Sequence, residues 1–187
     1  MPSRHIHTSD EVFVRARRCD VHPYLADLAG YGAWWPGCRS APLEGATRAA
    51  RVLLRAGGAP RADDALRWGR ARVQRLRLEV TKERPDLGVD LRVRGDLDGE
   101  AEWYYLDEVD GVVVHWLVRA EARRAPRRIA DAHRAAVRAG LHALKDVLEA
   151  GRAPGEEPSP ALLADQQDAI AEFHAGVEAH RQKLEGR

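Results

Sequence analysis

The run from Val89 to Val118 constrains the fold of this chain more than any other segment. Val89, Leu91 and Val93 alternate with Asp90, Arg92 and Arg94, a period of two that demands a strand with one dry face and one wet face. Asp98-Gly99 and Asp110-Gly111 are hairpin signals, because glycine accepts the positive φ of a tight turn. The run therefore predicts three antiparallel strands joined by two Asp-Gly turns. Beyond Pro126 the period becomes helical. Ile129, His133, Ala136, Val137, Gly140, Leu141, Leu144, Val147 and Leu148 form one stripe, while Arg127, Asp131, Arg134, Arg138 and Lys145 face away. With Gly151 as its stop, this helix would be roughly 35 Å long, enough to cross a sheet. A meander that ends in one long helix closes its dry face against that helix, and a hollow remains where the two diverge. The expected class is α+β, a curved antiparallel sheet wrapped around a long helix.

The other segments are read more coarsely. Asp10 to Arg17 alternates in part and predicts the first strand. Val21, Tyr24, Leu25 and Leu28 recur at helical spacing, with Asp20 as N-cap, Pro23 in the first turn and Gly30 and Gly32 as breakers. Ala33 to Gly37 makes an aromatic turn, and Ala49 to Ala56 a strand. Residues 61–70 read as loop with a short strand at Leu66–Trp68. From Val73, inward Leu76, Leu78 and Val80 alternate with Arg75, Arg77 and Glu79, and Pro85 to Gly88 turns the chain.

This divides the chain into a domain at 1–151, a Pro- and Gly-rich hinge at 152–160 and an appended amphipathic helix at 161–187. In that helix Leu163, Gln166, Ile170, Phe173, Val177, His180 and Leu184 follow steps of three and four, a narrow seam for one partner surface. The partner is the chain's own sheet or, as a homodimer, a second copy.

Charge excludes some functions. Formal net charge is +1, so no global field recruits nucleic acid or an anionic membrane. Lysine stands only at Lys82, Lys145 and Lys183, so arginine makes up 27 of the 30 basic residues. Arg119, Arg123, Arg124, Arg127 and Arg128 are interleaved with Glu121 and Asp131, which makes them a solvated rim. No apolar run is long enough to span a bilayer, and Met1 to His7 lacks an apolar leader core, so the cytoplasm is expected. Cys19 and Cys38 lack metal-type spacing and the company of a disulfide framework, and both are expected to be buried or half-buried. His5, His7, His22 and His115 are not spaced as metal ligands, and no phosphate loop or Ser-His-Asp arrangement occurs. No metal and no cofactor is expected.

Three motifs carry a resemblance. Tyr31-Gly-Ala-Trp-Trp-Pro-Gly37 follows a short helix. Gly95-Asp-Leu-Asp-Gly-Glu-Ala-Glu-Trp103 forms a hairpin. Gly140-Leu-His-Ala-Leu-Lys145 lies in the closing helix. From about Asp10 to Gly151 the chain resembles the START-like, or Bet v 1-like (SRPBCC), superfamily, and within it the polyketide cyclase/dehydrase and lipid-transport group. The resemblance implies a helix-grip fold around a hydrophobic cavity. It leaves the chemistry open, because the superfamily holds carriers, cyclases and hydrolases alike.

Extending the alternation puts Ala101, Trp103 and Tyr105 on the face shared by Val112, Val114, Trp116 and Val118, with Glu100, Glu102, His115 and Arg119 opposite. The expected ligand-binding residues are Trp34, Trp35, Leu78, Leu91, Trp103, Tyr105, Val114, Trp116, His133 and Val137. One of Trp34 and Trp35 anchors the opening helices and the other lines the mouth. The leading functional reading is binding of an apolar or aromatic, polyketide- or lipid-like molecule between sheet and helix. The alternatives are a polyketide aromatase/cyclase in which His133 and Tyr105 shuttle protons, and a protein-interaction module that uses the C-terminal helix.

Overall fold

The period of two read along the sequence is realised in one seven-stranded, wholly antiparallel sheet of order β1-β7-β6-β5-β4-β3-β2. The computed structural model describes residues 4–46, 48–55, 73–149 and 182. In chain order the elements are β1 (His5–Val14), α1 (Arg18–Ala26), α2 (Tyr31–Trp34), β2 (Cys38–Pro42), β3 (Ala49–Arg55), β4 (Val73–Arg84), β5 (Gly88–Gly95), β6 (Leu97–Glu108), β7 (Gly111–Ala122) and α3 (Pro126–Leu148). The strand expected at Leu66–Trp68, the hinge at 152–160 and the helix at 161–187 lie outside the described residues.

The inner face follows the predicted alternation. Ala101, Trp103, Tyr105, Val112, Val114, Trp116 and Val118 are all buried, and Leu76, Leu78, Leu91 and Val93 continue the same surface across β4 and β5. A bulge between Val80 and Lys82 interrupts the β4–β5 register and bends the strand. On α3 the buried stripe is His133, Ala136, Val137, Gly140, Leu141 and Leu144; Val147, expected in it, is exposed, while Leu148 beside it packs against the core.

Several local expectations are corrected. β1 starts at His5 and ends at Val14, because Ile6, Thr8 and Asp10 already alternate inward and Arg4 O accepts from Ala122 N on β7. The first helix starts at Arg18, so Asp20 lies inside its first turn and holds the Arg17 side chain instead of capping. Pro23 sits mid-helix, and Gly32 lies within α2 rather than ending a helix. Asp98-Gly99 is not a turn. The chain reverses at Gly95-Asp96, where Gly95 has φ of 124°, and Gly99 lies within β6 opposite Ala120. A Cβ at Gly99 would come 2.3 Å from the Arg119 carbonyl oxygen, so glycine is there for strand-to-strand approach. Asp110-Gly111 does turn the chain between β6 and β7. Cys38 is buried as expected, but Cys19 is exposed on α1.

α3 is fastened to β1. Asp10, buried on the inner face, accepts from Arg138 Nε at 2.7 Å and from Arg134 Nε at 3.2 Å. Near the helix end, Lys145 Nζ donates to Phe13 O at 2.9 Å, and the Arg15 amide donates to Glu149 at 2.7 Å. Gly140 lets the helix press onto Trp35: a Cβ there would meet the indole at 2.4 Å.

Candidate functional site

Beneath α3 the aromatic rings converge as the alternation predicts, and they meet one another. Trp103 and Trp116, opposite each other on β6 and β7, have ring centroids 4.2 Å apart. Trp35 lies edge-on to Trp103 at 6.1 Å, and Trp34 stacks on Trp35. Trp35 is buried and donates to Ala136 O at 2.8 Å, which makes it the anchor of the pair; Trp34 is half-buried.

Two polar networks thread this interior. In the first, Trp116 Nε1 donates to His133 Nε2 at 2.9 Å. An indole only donates, so Nε2 is the acceptor and the proton of the neutral ring sits on Nδ1, 3.0 Å from Gln74 Oε1. Gln74 Nε2 then donates to Ile129 O at 2.8 Å, returning the chain of bonds to α3. Burial holds His133 neutral, lowering its pKa from 6.5 to about 4. Beside it, Trp103 Nε1 donates to the Tyr31 hydroxyl, which donates to Leu25 O, and burial pushes the Tyr31 phenol well above its ordinary range.

The second network lies at the α1 end. Tyr105 Oη is 3.2 Å from His22 Nδ1, and His22 Nε2 is 2.7 Å from Glu83 Oε1. With Glu83 accepting from Nε2–H, Nδ1 accepts from the phenol, in the order hydroxyl, imidazole, carboxylate. Desolvation lowers the His22 pKa and raises that of Tyr105. Glu83 also pairs with Arg48, and both line a surface cleft of about 350 Å³ with Pro23, Ala26 and Leu28.

The two expected proton-transfer residues are thus separated. Both ring nitrogens of His133 are taken by Trp116 and Gln74, whereas Tyr105 bonds His22. The remaining expected ligand-binding residues, Leu78, Leu91, Val114 and Val137, are buried around the rings. The hollow expected beneath α3 is closed at these positions. Trp103, Trp116, His133 and Val137 are at most 1% accessible, so no water-sized space adjoins them. A groove of about 470 Å³ does exist, but on the outer face of β4–β7 among Arg84, Asp90, Arg92, Glu102 and Arg119, away from this chemistry.

Sequence reasoning missed Gln74, Tyr31, His22 and Glu83. Gln74 carried a legible signal, a polar residue at an inward position two before Leu76. His22 and Glu83 carried none, since their meeting depends on where α1 docks. Among the described residues no cluster of His, Cys, Asp and Glu has the makings of a metal site. No described helix is long and apolar enough to cross a membrane.

No family model matches the chain, and no curated protein matches it by sequence. Solved structures do match its fold. A conserved protein from Geobacillus kaustophilus aligns with TM-score 0.58 and 14% identity over 76% of this chain and 95% of its own. The aromatase/cyclase ZhuI from Streptomyces sp. R1128 aligns with TM-score 0.54 and 18% identity over 81% of this chain and 98% of its own. The Aha1 dimer from Colwellia psychrerythraea gives 0.52 and 16%, over 79% and 99%. This chain spans about half of the di-domain aromatase/cyclase StfQ, 51% of whose length it covers. The chain has the helix-grip fold of these structures, a curved antiparallel sheet closed by a long C-terminal helix.

Proposed function

We propose that this protein binds a flat, apolar or aromatic small molecule between its sheet and α3, and that the aromatic interior opens as the ligand enters. The observation that carries this reading is the Trp116–His133–Gln74 chain. Replacing a buried polar network by well-packed hydrocarbon is often neutral or stabilising, so stability alone does not account for it. Groups that bond one another in the closed state supply the donors and acceptors that would orient a guest. The likeness to aromatase/cyclases supports the reading at the level of fold. A ring system burying roughly 200 Å² would gain about 5 kcal/mol at about 25 cal/mol per Å², and apparent affinity falls by the fraction of molecules that are open.

The test is titration with anilinonaphthalene sulfonate, followed by hydrogen exchange of α3 and β7 amides. Saturable binding that changes exchange around 129–141 and 112–118, weakened about tenfold in His133→Leu, is the expected result. Changes confined to the outer groove, or no binding, would reject it.

The enzymatic alternative is favoured by one observation, the order Tyr105–His22–Glu83, which gives the phenol a base and the base a carboxylate. On that reading, conversion of a poly-β-ketone would fall in Tyr105→Phe and His22→Gln and persist in His133→Gln. Equal loss in all three would sink it.

A further inference from the structure

The two edges of the sheet are treated differently. β2 is five residues long and ends in Pro42, which blunts it as an edge. β1 is ten residues long, without proline or bulge. The Arg4–Ala122 bond shows that even-numbered residues of β1 bond to β7, so the odd-numbered ones turn their N–H and C=O groups to the free edge. One such group, Phe13 O, is satisfied by Lys145 of α3, and just past the strand the Arg15 amide is satisfied by Glu149 at the end of that helix. α3 crosses obliquely: its first turn reaches Gln74 on β4 and its last reaches the end of β1. The edge groups of His7, Ser9 and Glu11 therefore find no partner among the described residues.

We propose that this stretch is a homodimer interface, in which β1 pairs antiparallel with β1 of a second copy about a two-fold axis at Ser9. This register is self-complementary. Ser9 faces the partner's Ser9, and His7 faces the partner's Glu11 twice over, on the outer side where these side chains are exposed and where Glu11 also meets His115 Nδ1 of its own chain at 3.0 Å. Three hydrogen-bonded residue pairs supply about six backbone bonds. On the inner side, Thr8 falls opposite the partner's Asp10. Thr8 is 6% exposed and its hydroxyl is buried with no hydrogen-bond partner, and the Asp10 it would face is already held by Arg134 and Arg138 of its own subunit, so the pairing rests on the edge backbone and the outer side chains. A register shifted by two residues so that Asp10 meets the partner's Asp10 would bring two carboxylates together, so charge disfavours it.

Sedimentation of the full chain over a concentration series tests this, with three variants. Ser9→Pro removes only an outward N–H, so the fold and melting temperature should hold while dimerisation weakens about a hundredfold. Glu11→Arg should also weaken it, and adding His7→Glu to Glu11→Arg should restore it. A chain that stays monomeric to about 1 mM, a dimer indifferent to Ser9→Pro, or a double variant no better than Glu11→Arg would each overturn the proposal.

Discussion

His133 and His22 both sit beside the aromatic interior, yet their surroundings differ in kind. The His133 network runs through Trp116, His133 and Gln74, all at most 6% accessible, to the Ile129 carbonyl of the helix backbone. The His22 network begins inside, at Tyr105, and ends at Glu83, whose side chain is 31% accessible. Burial depresses both imidazoles, but only His22 has a carboxylate bonded to its ring and a route to solvent. A sealed polar chain fixes one arrangement of the core. A chain that reaches the surface allows proton exchange with water without opening the core.

Four measurements test this contrast. The largest effect is expected at the sealed side: Trp103→Ala removes the ring against Trp116, Trp35 and the Tyr31 hydroxyl, and should cost about 3–5 kcal/mol in urea unfolding. A loss below about 1 kcal/mol would mean that the rings do not pack as tightly as their burial indicates.

Acid is next. The folded-state pKa of His133 lies below its unfolded value of 6.5, so the unfolded chain binds the extra proton first. The contribution is fully present above pH 6.5 and is lost as pH falls towards 4, about 3 kcal/mol in all. Unfolding followed between these limits should show this slope in the wild type and lose most of it in His133→Gln, with His22→Gln changing it less. An unchanged slope in His133→Gln would place the responsible group elsewhere.

Gln74→Leu leaves the buried His133 Nδ1–H without its acceptor and removes a second donor from the Ile129 carbonyl, for a loss of about 1–3 kcal/mol by thermal denaturation. The smallest effect belongs to the open network. Glu83→Gln keeps an acceptor for His22 and loses only a half-exposed pair with Arg48, so stability should change by less than about 1 kcal/mol. If Glu83→Gln cost more than Gln74→Leu, the distinction between sealed and open networks would fall.

Parts of the candidate site were legible in the sequence. Trp103, Tyr105, Val114 and Trp116 were placed inward by alternation alone, and His133 and Val137 by the helical stripe, and all are buried. The reverse turn at Asp98-Gly99 was misread because a glycine that admits a neighbouring backbone looks, in sequence, like one that turns the chain. Tyr105 was paired with His133, whereas its hydroxyl bonds His22. His22 is 83 residues away in sequence and is brought to it only by the docking of α1.

The alternation of side chains fixed which faces are dry and wet, because the direction of a strand side chain follows from backbone geometry whatever the rest of the chain does. Tertiary structure alone decided whether the space under α3 stands open or is filled, and which buried polar atoms satisfy one another. Those outcomes depend on ring volumes and on distances between residues far apart in the chain, which no local pattern encodes.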